Sequence, residues 1–191
     1  MNINFIKISK NIYLEINTNV DIHNIDYYTN FNVELIIEDT KYNLLNENIL
    51  YIKNILEKYI ENINDYILDN RLLRENLGID LNNYYYFLNY EINNCSLIVD
   101  ENGNWIGEKY NCFCNKKYAT WIYKFDNKIY LEVTPLFDFF KYDANNLEYK
   151  IFIRKYKIVI IVELDFEILL EIYNKLDTIY KDIINIKNIN N

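Results

Sequence analysis

A chain of 191 residues, 51% hydrophobic and 25% charged, can bury roughly 70% of the surface its unfolded form exposes, so a single globular domain over residues 1–191 is expected. Three glycines and one proline exclude a flexible linker, a collagenous repeat and a Pro/Gly-rich disordered segment. A formal net charge of −8 repels phosphate backbones and favours basic partners, so nucleic acid is not expected as a ligand.

Phe5, Ile6, Ile8, Ile12, Leu14 and Ile16 surround Ser9-Lys10-Asn11 and predict an opening hairpin. Lys7 and Lys10 are scattered through this period-two pattern rather than preceding an apolar segment, so a signal peptide is not expected. The longest aliphatic run, Ile158 to Val162, is far short of the roughly 20 residues that span a bilayer. No membrane association and a cytoplasmic location are therefore the expectations. An odd number of cysteines, three, fits reduced thiols in that compartment.

Phe31, Val33, Leu35 and Ile37 alternate strictly and predict a third strand. From Asn48 the period changes. Ile49, Ile52, Leu56, Tyr59, Ile60, Ile63 and Ile67 recur at helical spacing, predicting a long helix over about 47–69 with Asn46 or Asn48 as its cap. Arg71 to Leu77 is read as continued helix ending at Gly78, where a missing Cβ permits a left-handed residue. Tyr84 to Ile92, dense in aromatics, is read as a strand.

A central meander over 95–134 carries the clearest signals. Asn102-Gly103 stands between apolar runs and predicts a type I′ turn, which needs positive φ at both central residues. Thr120–Phe125 and Lys128–Val133 flank Asp126-Asn127, a second tight turn. A two-residue loop there pairs Phe125 with Lys128, Tyr123 with Tyr130 and Trp121 with Glu132, making one face aromatic. Lys124 with Ile129, Ile122 with Leu131 and Thr120 with Val133 then form an aliphatic face. An aromatic face of this kind is either ordinary two-sided packing or an interaction site.

Pro135 ends pairing because it has no N–H to donate, and Phe137, Phe139 and Phe140 are read as a buried loop cluster. Tyr149, Phe152, Ile153 and Tyr156 have helical spacing, and a strand over 157–164 follows. Asp165 is a suitable N-cap for a final helix over about 165–184 with Phe166, Leu169, Leu170, Tyr173, Leu176, Tyr180 and Ile184 as its apolar stripe. A second stripe, Ile168, Ile172 and Ile179, predicts a further contact with the first long helix or with a second subunit. The fold class expected is α+β, a mainly antiparallel sheet of six to eight strands packed with two long helices.

Catalytic residue types are scarce. His23 is the one histidine, and only Ser9 and Ser96 offer serine hydroxyls, so a Ser-His-Asp triad has no motif to stand on. Cys112-Phe113-Cys114, with Cys95 and His23, reaches the ligand count of a Cys3His zinc site. The C-x-C spacing on a strand argues against it, so no metal and no cofactor is expected. Glu108 and Glu132 both lie on the meander and could act as an acid/base pair or hold Mg²⁺. Asp138 with Glu148-Tyr149-Lys150 has the order of a metal-nuclease site. A small metal-dependent hydrolase or nuclease is therefore an alternative reading, although exposed charges explain both sets. Lys150, Arg154, Lys155 and Lys157 are read as the solvated side of a short helix.

Trp105-Ile106-Gly107-Glu108-Lys109-Tyr110, then Ala119-Thr120-Trp121-Ile122-Tyr123, then Ile129-Tyr130-Leu131-Glu132-Val133-Thr134-Pro135 form a series. Phe152-Ile153-Arg154-Lys155-Tyr156-Lys157 follows before a strand and an amphipathic helix. Over about residues 95–187 this resembles small bacterial cytosolic proteins of the immunity type from polymorphic or contact-dependent toxin systems. The resemblance implies a binding protein that blocks a toxin and has no catalytic residues of its own. On that reading Trp121, Tyr123 and Tyr130 would give contact area, Glu108 and Glu132 a charged rim, and a cognate toxin or other basic protein the partner. A structural subunit, with homodimer formation through the second helical stripe, is a further alternative.

Overall fold

The computed structural model describes residues 2–18, 29–48, 67–90, 97–139 and 146–189. Their architecture is α+β, with two four-stranded antiparallel sheets and three helices. The chain gathers into two compact units. One combines residues 1–65 with 162–191, and the other is residues 66–161.

In the first unit, β1 (Asn2–Ser9), β2 (Ile12–Thr18), β3 (Asn30–Ile37) and β4 (Thr40–Asn48) pair in sequence order. The opening hairpin forms as its pattern predicts, with Asn11 at φ 61° in the turn, a conformation Asn tolerates well. Ile6, Ile8, Leu14, Ile16, Phe31, Val33 and Leu35 are buried, since alternation sends every second side chain of each strand to one face. β4 is a strand that alternation does not reveal, because Leu44 and Leu45 are adjacent and both buried. The pairing with β3 slips by one residue there, Val33 facing Leu45 and Glu34 facing Asn43; such a bulge lets two successive side chains leave the usual alternation.

On the other face Glu15 stands opposite Glu34 in register, which would be destabilising alone. The Lys41 ammonium lies 2.8 Å from Glu15 and 3.0 Å from Glu34. That contact holds the Glu15 carboxyl below the usual range.

The last helix, called α3 below (Phe166–Ile189), begins where the Asp165 signal places it and runs past the expected end; the Leu169 amide donates to the Asp165 carbonyl at 3.1 Å. It lies against β1. Leu169, Ile172 and Leu176 are buried on it, whereas Phe166 and Leu170 are exposed. The buried face therefore includes Ile172 from the predicted second stripe and leaves out Phe166 and Leu170 of the first.

In the second unit, β5 (Asn111–Cys114), β6 (Tyr118–Phe125), β7 (Lys128–Pro135) and β8 (Ile160–Leu164) form the other sheet in that order, the boundary between units falling within β8. The β6–β7 register is the predicted one at all six pairs from Thr120–Val133 to Phe125–Lys128. Asp126 and Asn127 take φ of 47° and 61°, the type I′ signature.

Asn102-Gly103 behaves differently. Only Gly103, at φ 82°, has positive φ in that loop, and its amide donates to the Asp100 carbonyl. The Asp100 carboxylate accepts from the Asn102 and Asn104 amides. A longer loop closed by a side chain thus replaces the predicted type I′ turn, because Asp at the first position caps the turn amides itself.

The predicted helix over 47–69 falls mainly on 49–66, outside the described residues. Its expected ends are not helical: Glu47 and Asn48 belong to β4, and Ile67 bridges Lys124 in parallel. Residues 71–77 are not one helix ending at Gly78 either. A 3-10 turn, Arg74–Asn76, leads into α1 (Leu77–Tyr90), with Gly78 in its first turn. The strand expected over Tyr84–Ile92 is thus helix as far as Tyr90. Leu77 and Leu81, one turn apart, pack with Trp105, Trp121 and Tyr123, and that burial overrides the β preference of the tyrosines.

Buried Asn82 on α1 donates to the Gly78 and Pro135 carbonyls and accepts from the Phe137 amide at 2.8 Å, satisfying backbone groups where β7 stops. The short helix α2 (Asn146–Arg154) forms as its spacing predicts. Its Tyr149 stacks on Tyr86 and meets Phe137 and Phe139. Phe140 lies outside the described residues.

Candidate functional site

Tyr123 on β6 faces Tyr130 on β7 with ring centroids 5.9 Å apart, as their register requires. One pair further along, Trp121 stands opposite Glu132. Trp121 and Trp105 meet edge to face at 5.7 Å, and the Trp121 indole donates to Thr134 Oγ1 at 2.9 Å. Trp121, Tyr123 and Glu132 are each 0% exposed. The aromatic side of the hairpin is thus interior, roofed by residues 68–81, and Trp121, Tyr123 and Glu132 do not present the contact surface and rim expected of them. Tyr130 is half-buried. The opposite side, with Ile122, Leu131 and Val133, is buried as well; a hairpin apolar on both faces is covered on both.

A buried carboxylate in such a place needs partners. The Tyr123 hydroxyl donates to Glu132 Oε2 at 2.7 Å, and itself accepts from Arg74 Nε at 2.8 Å. The Arg74 guanidinium lies 3.9 Å above the Tyr130 ring centre and 5.9 Å from that of Phe125, within cation–π range. Glu132 Oε1 has no hydrogen-bond partner. Burial raises the Glu132 carboxyl to about 7, against the opposing pull of Tyr123 and Arg74.

Arg74 was hidden in a stretch read as helix. A mid-strand Glu on a core-facing position is the signal that a cationic or hydroxyl partner must come from elsewhere in the chain.

The other predicted groups do not converge on this cluster. Glu108 is half-buried on the 3-10 turn Ile106–Tyr110, and its charge acts on Tyr85, so the proposed Glu108–Glu132 acid/base pair is not assembled. The Cys112 thiol donates to the Thr120 carbonyl at 3.3 Å, and burial pushes its ionisation up, which opposes thiolate chemistry. Asp138 is exposed and Glu148 half-buried. Among the described residues no three His, Cys, Asp or Glu side chains gather as a metal-binding group; His23 and Cys95 lie outside them. Lys150, Arg154, Lys155 and Lys157 are all exposed, the solvated side expected. No helix among the described residues is long and apolar enough to cross a membrane.

One face of α3 stands apart from these interior groups. Phe166 is 52% and Leu170 37% exposed, one helical turn apart. Asp165, Glu167 and Glu171 beside them are exposed too. Glu167, Leu170, Glu171, Asn174, Lys175 and Thr178 line an open groove of about 410 Å³ along the helix. Comparison with protein-family models, with characterised proteins and with solved structures finds no match to this chain.

Proposed function

We propose that this chain is a protein-binding module of the immunity type, which neutralises a basic toxin by binding it through α3. The observation that carries this reading is the exposed Phe166–Leu170 pair edged by Asp165, Glu167 and Glu171. Apolar side chains left in water next to carboxylates gain by burial against a partner, and the carboxylates select a cationic one and speed its encounter. The net charge of −8 acts in the same direction. The resemblance of residues 95–187 to immunity proteins supports the same class of function, with the sheet residues supplying a rigid body rather than the contact. The hydrolase alternative is weaker because Glu132 is enclosed and paired to Tyr123.

The test is protection. A basic toxic domain encoded beside this chain's gene is expressed in a host with and without the chain, and survival only with the chain is expected. Phe166→Ala with Leu170→Ala should weaken the purified complex by about 2 kcal/mol or more while leaving the free protein's urea midpoint nearly unchanged. Glu167→Lys with Glu171→Lys should slow association and remove much of its salt dependence. No neighbouring toxin, or no protection, removes the immunity reading. Undiminished affinity in the apolar double variant removes α3 as the surface. Concentration-dependent dimerisation abolished by the same variant would assign the face to a second copy instead.

A further inference from the structure

We propose that Glu132, Tyr123 and Arg74 form a proton-operated clasp: it holds residues 73–76 on the aromatic side of the β6–β7 hairpin while Glu132 is ionised, and slackens when Glu132 takes up a proton. The three groups are connected in series, carboxylate to hydroxyl at 2.7 Å and hydroxyl to guanidinium at 2.8 Å. The tyrosine hydroxyl has one proton, which it gives to Glu132, and a lone pair, which it offers to Arg74. A negative charge at one end strengthens the acceptor that the positive charge at the other end uses. Protonation removes that charge without breaking the chain of atoms, so the grip on Arg74 weakens rather than disappears. The incoming proton has a place to go, because Glu132 Oε1 is buried without a partner.

Geometry confines the effect to a short segment. Upstream, residues 67–69 are fastened independently: the Leu68 amide donates to the Lys124 carbonyl, the Asp69 amide to the Tyr110 hydroxyl, and that hydroxyl to the Ile67 carbonyl. Leu72 and Leu77, on either side of the segment, are both buried in the core cluster. Between them Arg74 is the side chain that reaches across to the sheet, over Tyr123, Phe125 and Tyr130. Among the described residues, the charged and titratable groups around Glu132 are Arg74 from the 3-10 turn, Tyr123 from β6 and Tyr156 from the segment after α2. Asp80 on α1 acts on Tyr156 in turn. Burial holds Glu132 at about 7 and Asp80 at about 6, so the two must be separated by experiment.

The direct reporter is the Arg74 Nε–H, whose hydrogen exchange is followed by nitrogen-15 NMR from pH 5.5 to 8.5 and corrected for intrinsic exchange. Protection should fall about tenfold as pH drops through neutrality, the size common for coupling between two sites; the Leu68 amide should not change. Glu132→Gln should give weak, pH-independent protection, and Asp80→Asn should keep the full step. Because coupling is reciprocal, Arg74→Gln should move the Glu132 carboxyl midpoint upward in a carbon-13 titration. Tyr123→Phe should abolish protection at every pH. Protection that is flat in the wild type, a step that survives in Glu132→Gln or is lost in Asp80→Asn, or an unmoved midpoint in Arg74→Gln would overturn the proposal.

Discussion

At Gly78 an added methyl group would collide with the Tyr156 hydroxyl and with Cβ and Oγ1 of Thr134. The tyrosine hydroxyl is the far end of a side chain and could swing away. Thr134 Cβ is fixed on β7 and cannot. Gly→Ala inside a helix ordinarily stabilises by about 1 kcal/mol, whereas forcing extra volume into a packed site costs about 1–3 kcal/mol. Gly78→Ala should therefore be destabilising on balance, by about 1 kcal/mol, read as a lowered urea midpoint. A raised midpoint would mean that α1 moves off β7 at little cost. This glycine was read from the sequence as a helix terminator, the commoner reason for one after an apolar run; its role is close approach, which depends on a strand residue 56 positions further on that no local pattern mentions.

Elements were legible where the pattern that builds them is local. The β6–β7 hairpin, its six-pair register and its Asp126-Asn127 turn follow from alternation and turn chemistry alone, as does the start of α3 at Asp165. The Tyr84–Tyr90 stretch was not legible, because aromatic density favours a strand until Leu77 and Leu81 are seen to need one face of a helix. The burial of the expected aromatic surface was hidden for a related reason. Alternation says that Trp121, Tyr123 and Tyr130 share a side but not whether anything covers it, and the covering residues come from a segment misread. The loop at Gly103 separates two turn types experimentally. Gly103→Val should destabilise by about 1 kcal/mol or more, since a β-branched residue resists φ of 82°. Asn102→Val should cost much less, as Asn102 has no positive φ to maintain; equal penalties at both positions would restore a type I′ turn.

For the whole molecule, the buried acids set how stability responds to pH. Glu132 is raised from an ordinary 4.5 to about 7, so between those values the folded form keeps a proton that the unfolded form has lost. Stability is then fully present below about pH 4.5 and declines as pH rises to about 7, by at most about 3 kcal/mol. Asp80, also raised by burial, adds to the decline. Glu15 and Asp69 are lowered by Lys41 and Arg71 and act oppositely, withdrawing stability under more acidic conditions. Urea midpoints should accordingly fall from pH 5.5 to 8, and Glu132→Gln should flatten that fall; a midpoint rising across the interval would contradict the assignment. The division of the chain has a separate consequence for biosynthesis. One unit is a continuous stretch, 66–161, while the other joins residues 1–65 to 162–191, and α3 lies against β1. During vectorial synthesis the middle unit can complete itself as it emerges, whereas β1 meets α3 only after more than 150 further residues have been made, a long-range contact of the kind that forms slowly.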